Sequence, residues 1–216
     1  MKAVMKAISP KRCGLIANGK ATVELSKVKP NIEVPFRCYI YCTMRKAKRP
    51  GEILEIHTPD AKIHRGNGRV IGEFLCNNVS VIFDTNGNPK NYMTDILPSV
   101  LQKTALSYDE FGAYVGNRAA KNSIYGWNIT DLKIYEEPKS LFEFHKYGAP
   151  DMTSVDDELC EYCRDTDYGR HSSYVCSSGY VSCEGRFCDK AYERYLDDNF
   201  SIACPPKSWC YVEELL

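Results

Sequence analysis

Of the 11 cysteines in this chain of 216 residues, five fall between positions 160 and 188. Cys160 and Cys163 form a C-x-x-C pair, which can present two thiolates to one ion from a tight turn. Cys183 and Cys188 follow as CEGRFC, directly ahead of DKAYERYLDD, whose Ala191, Tyr192, Tyr195 and Leu196 have the spacing of an amphipathic helix. Thiolates at the positive end of a helix are favoured, so Cys160, Cys163, Cys183 and Cys188 together suit a tetrahedral Zn²⁺. His171, Cys176 and Cys204 are credible substitutes for one member of the set. Four sulfur ligands leave no position open for water or substrate, so the predicted zinc is structural. Its work is to fold a segment with too few aliphatic residues to fold itself. Reduced, simply packed thiols are the alternative. An odd cysteine count excludes complete pairing into disulfides within the chain. Cys13, Cys38, Cys42 and Cys76 lie singly among apolar residues and read as small hydrophobes.

Charge is distributed unevenly. The formal net charge is zero, yet residues 1–50 hold 12 Lys and Arg against 2 acids, and residues 151–216 hold 6 against 14. The cluster Arg45, Lys46, Lys48, Arg49 suits an anionic partner through phosphate neutralisation, a solvated loop being the alternative. The longest apolar runs, such as FRCYIYC at 36–42, fall far short of the roughly 20 residues that span a bilayer, so no membrane partner is expected. Lys6 interrupts what would have to be the apolar region of a signal peptide, and a cytoplasmic location is expected.

The elements that must position these groups can be read in order. AVMKAI is a short strand, and Ser9 and Pro10 open a helix that Gly19 closes. ATVEL at 21–25 and FRCYIYCT at 36–43 are strands; in the second, Phe36, Cys38, Ile40 and Cys42 share one side and Arg37, Tyr39, Tyr41 and Thr43 the other. Residues 44–68 read as a long connection. RVIGEFLCNNVSVIF at 69–83 is one long strand or two in succession, followed by the turn NGNP at 86–89. Ser107 and Glu110 have capping-box spacing for a helix ending near Gly116. GWNITDLKIY at 126–135 reads as one more strand, which Ile129 and Leu132 fit imperfectly, and Pro138 as the start of a helix carrying Leu141, Phe142 and Phe144. The composition changes at Gly148, which divides the chain into a domain of residues 1–147, a cysteine-rich insertion of 148–204 and a final strand, 205–216, returning to the first domain.

The order of these elements, with SPKRCGLIANGKATVEL, PFRCYIYCT, GRVIGEF, YGWNITDLKIYEEP and PPKSWCYVEEL at their junctions, resembles the ASCH family of the PUA-like superfamily. The likeness is greatest to phage and bacterial members in which a cysteine-rich segment precedes the final SWCYVEE strand. It implies an α+β fold, a small barrel with short flanking helices. The family signature, G-x-K-x-x-E-x-R, falls on residues 19–26 and keeps Gly19 and Glu24, but Ala21 and Ser26 replace its lysine and arginine. Some members with this barrel hydrolyse N4-acetylcytidine using a lysine, a threonine and a glutamate. Here Lys20, Thr22, Glu24 and Glu73 are the nearest candidates, and a shift of one residue along a strand turns a side chain to the opposite face.

The resemblance therefore favours a module that binds RNA, a nucleotide or a modified nucleoside. The cleft it implies has Lys11, Lys20, Glu24, Trp127, Lys207, Ser208 and Trp209 nearby. Aromatic rings offer stacking faces to bases, and lysines offer point charges to phosphates. A hydrolase of modified nucleosides or RNA is the alternative. A further one is an interaction module whose cleft is vestigial and whose 148–204 insertion binds a protein partner.

Overall fold

The computed structural model describes residues 1–44, 53–83, 97–116, 123–148, 173–175, 181–183, 186–187, 202 and 205–215. The fold is mixed α+β. Its main sheet has five strands in the order β13 (Trp209–Glu213), β1 (Lys2–Ile8), β3 (Phe36–Cys42), β6 (Val70–Cys76), β9 (Thr130–Lys139). All neighbours run antiparallel except β1 and β3, whose parallel pairing needs a crossover. Helix α1 (Pro10–Ala17) and strand β2 (Val23–Ser26) supply it. Pro10 sits in the first turn of α1, where its missing N–H costs nothing, and Gly19 takes a φ of +67° just beyond the helix end.

A second sheet has the order β2, β8 (Ile124–Asn128), β7 (Val79–Phe83). Two short breaks join it to the first. Residues 77–78 carry the chain from β6 to β7, and Ile129 alone separates β8 from β9. These breaks lie side by side: the Asn128 N–H donates to the Asn78 carbonyl at 3.0 Å, and the Asn128 amide donates to Asn77 Oδ1 at 2.8 Å. Strands that change sheet at a shared corner wrap both sheets around one core. That core holds Val4, Ile8, Ile16, Phe36, Cys38, Ile40, Ile71, Phe74 and Trp127. Gly72 is required where β6 crosses β9, since a Cβ there would lie 2.3 Å from the Lys133 carbonyl oxygen.

The alternation read for FRCYIYC is present, but both faces are packed. Tyr39 and Tyr41 belong to a second core on the outer face of the main sheet, with Ala3, Met5, Phe144, Ile202 and Val212. Helix α2 (Leu97–Thr104) and helix α3 (Tyr108–Val115) pack on the other side of β2 and β8 through Leu97, Val100 and Phe111. The capping box read at Ser107 and Glu110 is formed in full.

Four local expectations change. The single strand expected over 126–135 is two strands in two sheets. The connection over 44–68 contains a hairpin, β4 (Glu55–His57) with β5 (Ile63–Arg65). Pro138 lies inside β9, and Ser140 with Glu143 caps only a short 3-10 turn, Leu141–Glu143. The helix Leu97–Thr104 was not anticipated. The NGNP turn, the Arg45–Arg49 cluster and the helix expected over DKAYERYLDD lie outside the described residues. Between residues 148 and 204, β10 (Ser173–Val175), β11 (Val181–Cys183) and β12 (Arg186–Phe187) form an antiparallel sheet with Cys183 opposite Arg186. Among the described residues no helix is long and apolar enough to cross a membrane.

Candidate functional site

The inner face of β1 carries the first unusual group. Val4 and Ile8 face the core, and Lys6 lies between them on the same face, 3% exposed. Its Nζ sits 4.7 Å from the centre of the Trp127 ring, a cation over an aromatic face. Burial pushes the Lys6 ammonium below its ordinary pKa, and the negative charge of Glu24 opposes that push. No hydrogen bond or ion pair to Lys6 Nζ forms among the described residues.

Glu24 reaches the same place from β2. It stands directly across from Trp127 in the β2–β8 ladder, which puts both side chains on one face. Arg12 of α1 holds it: Nε and Nη2 both donate to Glu24 Oε2, at 3.3 and 2.8 Å. The remaining Arg12 hydrogen bonds go to the carbonyls of Thr104 and Val23. The Thr104 carbonyl belongs to the negative end of α2, so one guanidinium ties a helix C-terminus to a carboxylate. Arg12 makes four hydrogen bonds from its five N–H groups, whereas Glu24 Oε1 receives none among the described residues.

Trp209 completes the cluster. It lies opposite Lys6 in the β1–β13 ladder, half-buried, with its ring 6.4 Å from Trp127 and 5.1 Å from Tyr211. Trp127 itself is fully buried and meets Phe36 edge-on at 5.6 Å, so of the two tryptophans Trp209 is the one with surface left to offer. The Trp127 Nε1–H, buried, has no hydrogen-bond partner among the described residues.

The other residues named from the sequence do not converge here. Ala21 is buried in the core, so its neighbours Lys20 and Thr22 face outward and are exposed. Lys11 is exposed and paired with Glu110, whose carboxyl it draws down to about 2. Lys207 and Ser208 are exposed just before Trp209. Glu73 is on the opposite face of the main sheet, where Arg37 lies 2.5 Å away and the Tyr135 hydroxyl donates to it at 2.6 Å. Of the zinc candidates, Cys160, Cys163, Cys188, His171, Cys176 and Cys204 lie outside the described residues, and of Cys183 only the backbone is described. Among the described residues no group of His, Cys, Asp and Glu is arranged to hold a metal.

Lys6 and Arg12 were missed in reading the sequence. A local signal existed for Lys6, a lysine flanked at i−2 and i+2 by apolar core residues. None existed for Arg12, whose partners are 11 to 92 residues away.

Fold and site together define an α+β protein with two sheets around one core and a charged, aromatic-walled cluster between β1, β2, β8 and β13. Among solved structures the chain is similar to the ASCH protein of Zymomonas mobilis, with 16% identity, a TM-score of 0.43, and 92% of this chain and 96% of that chain covered. A point variant of the same protein matches at 14% identity and a TM-score of 0.44, covering 93% and 100%. Both are ASCH proteins, the family that the sequence segments resemble. At this identity and TM-score the likeness assigns no activity. No family model matches the chain, and no curated protein does.

Proposed function

We propose that this protein binds RNA or a nucleotide, with a base stacking on Trp209 and exposed lysines, Lys207 and Lys20, contacting phosphate. The observation that supports this reading is Trp209. It is braced edge-on by Tyr211, keeps exposed surface, and lies across from a buried cation. A braced ring loses little freedom when a base stacks on it, and such stacking contributes about 1–3 kcal/mol per base. The test is fluorescence anisotropy with a labelled single-stranded oligoribonucleotide pool at two salt concentrations. Trp209→Ala is expected to weaken binding about tenfold or more, and Lys207→Ala to flatten the salt dependence. Binding that is insensitive to both substitutions would overturn the reading.

A structural zinc in the 148–204 insertion belongs to the same proposal. The C-x-x-C spacing supports it, as does the position of Cys183 at the end of β11, where β12 turns back beside it. Mass spectrometry of the purified protein is expected to find about one zinc per chain, with Cys160→Ser or Cys188→Ser lowering that content. Metal-free protein with an ordered insertion would remove the zinc claim.

One observation favours hydrolysis as a second reading. Glu24 keeps one carboxylate oxygen free within the field of Lys6, a placement that a general base could use. Lys6 would then stand in for the lysine that the signature lacks at Ala21. Turnover of N4-acetylcytidine or RNA, abolished in Glu24→Gln with binding retained, would make the protein an enzyme.

A further inference from the structure

We propose that Lys6 and Glu24 together read the hydrogen-bonding edge of one unpaired nucleobase, while phosphate is held outside the cluster. This inference rests on the RNA- or nucleotide-binding reading and specifies which part of the ligand enters.

Three polar groups of the cluster make no hydrogen bond among the described residues: the Trp127 Nε1–H, which is fully buried, and the Lys6 Nζ and Glu24 Oε1, of which Nζ meets only the Trp127 ring. Arg12, the other cation, already directs its hydrogen bonds to Glu24, Val23 and Thr104 and has no fork left for an anion. What remains is two donors and one acceptor, of which Lys6 and Glu24 carry opposite charges. A ligand that pairs with both Lys6 and Glu24 is favoured over one that pairs with a single group and leaves the other desolvated, a loss of about 1–3 kcal/mol for a group shut off without a partner.

Phosphate matches only one. Its oxygens accept from Lys6, but its negative charge would face Glu24 Oε1 unpaired in a place nearly closed to water. The edge of an unpaired base carries an N–H beside a carbonyl oxygen or ring nitrogen. It can donate to Glu24 and accept from Lys6 at once. In a duplex that edge is already paired, so the site selects single strands or free nucleosides. Trp209, directly across from Lys6, presents its ring beside the position where such a base would lie.

The experiment uses the full-length protein, a fluorescein-labelled single-stranded oligoribonucleotide pool, its duplex form, unlabelled nucleosides and ribose 5-phosphate. Nucleosides are expected to compete and ribose 5-phosphate not to, and duplex should bind at least tenfold more weakly. Lys6→Met should lose at least tenfold in affinity while its salt dependence stays parallel to wild type and its thermal melting temperature holds or rises. Lys6→Gln, which keeps an N–H donor, should recover part of the affinity and serves if the methionine variant does not fold. Competition by ribose 5-phosphate, or a flatter salt slope in Lys6→Met, would place phosphate at Lys6 and overturn the inference. Wild-type binding matched by both Lys6 variants would also overturn it, leaving the general function intact. If the wild-type protein binds neither RNA nor nucleosides, the function itself fails and this inference falls with it.

Discussion

The outer face of the five-stranded sheet carries one cation between two carboxylates, the inner face is lined by two cations and one carboxylate, and the two sides treat their charges differently. On the outer face Arg37 bonds Glu73 through Nη1 and Glu214 through Nε at 2.6 Å, and the Tyr135 hydroxyl closes on the other oxygen of Glu73. The Leu215 N–H donates to the Tyr39 hydroxyl beside it, so the network pins the end of the chain to the sheet. The bond to Glu214 raises Arg37 further, and burial, then the bond to Glu73, raises Tyr135. On the inner face Arg12 and Glu24 are equally well matched, but Lys6, Glu24 Oε1 and Trp127 Nε1 are left over. A satisfied polar network stabilises and specifies; one with donors and an acceptor to spare has capacity for a ligand. This difference explains why Glu73, named from the sequence as a candidate base, is better understood as part of a clamp.

The comparison can be broken most sharply at Arg12. Arg12→Met leaves Glu24 mostly buried without its ion pair and should cost about 3 kcal/mol in urea unfolding, because an unpaired buried carboxylate loses its compensation. A cost below about 1 kcal/mol would mean that Glu24 finds other partners, Lys6 first among them, and the inner face would then have no free capacity.

Arg37→Met should cost less, roughly 1–2 kcal/mol, since Arg37 keeps 36% of its side-chain surface in solvent and exposed pairs are screened. RNA affinity measured on the same variant should be unchanged, as the clamp lies on the other side of the sheet. A loss of affinity there would end the division of labour between the faces.

Lys6→Met is expected to have the smallest effect on stability, zero to about 2 kcal/mol in the stabilising direction at neutral pH, because it removes a buried charge with no ion pair. The sign of its pH dependence follows from the lowered pKa of Lys6. Between that lowered value and the ordinary 10.5 the unfolded chain binds more protons than the folded one, so wild-type stability attributable to Lys6 rises with pH. The advantage of the methionine variant should therefore shrink as pH rises toward 10.5. Paired urea titrations of the two proteins would show it, and a gap that widens instead would mean that Lys6 is better solvated than its burial implies.

Much of the scaffold was legible without coordinates because it depends on neighbours in sequence. The alternation in FRCYIYC sets two faces at every step of an extended chain, and a serine three residues before a glutamate caps whatever helix begins there. Exposed Lys20 and Thr22 flank buried Ala21, but that alternation does not run on into β2, where Val23, Glu24, Leu25 and Ser26 are all buried. Other elements escaped for an equally physical reason. The break at Ile129 that sends GWN and TDLKIY into different sheets carries no proline or glycine to mark it, and it exists because β8 and β9 find partners in different sheets. Pro138 was read as a helix start, yet β9 continues through it while pairing with β6 as far as Lys139.

The site divides in the same way. Sequence by itself placed Glu24, Trp127 and Trp209 on strands, and set Lys20 and Thr22 one residue to either side of Ala21, where an extended chain turns them to the other face. Only the tertiary structure decided that Lys6 has its ammonium against Trp127, that Arg12 spends itself on Glu24 and a helix end, and that Glu73 is held on the far side. Side-chain direction along a strand is local, with a period of two residues. Which charges meet, and which are left without a partner, depends on segments far apart in the chain being brought into one low-dielectric space.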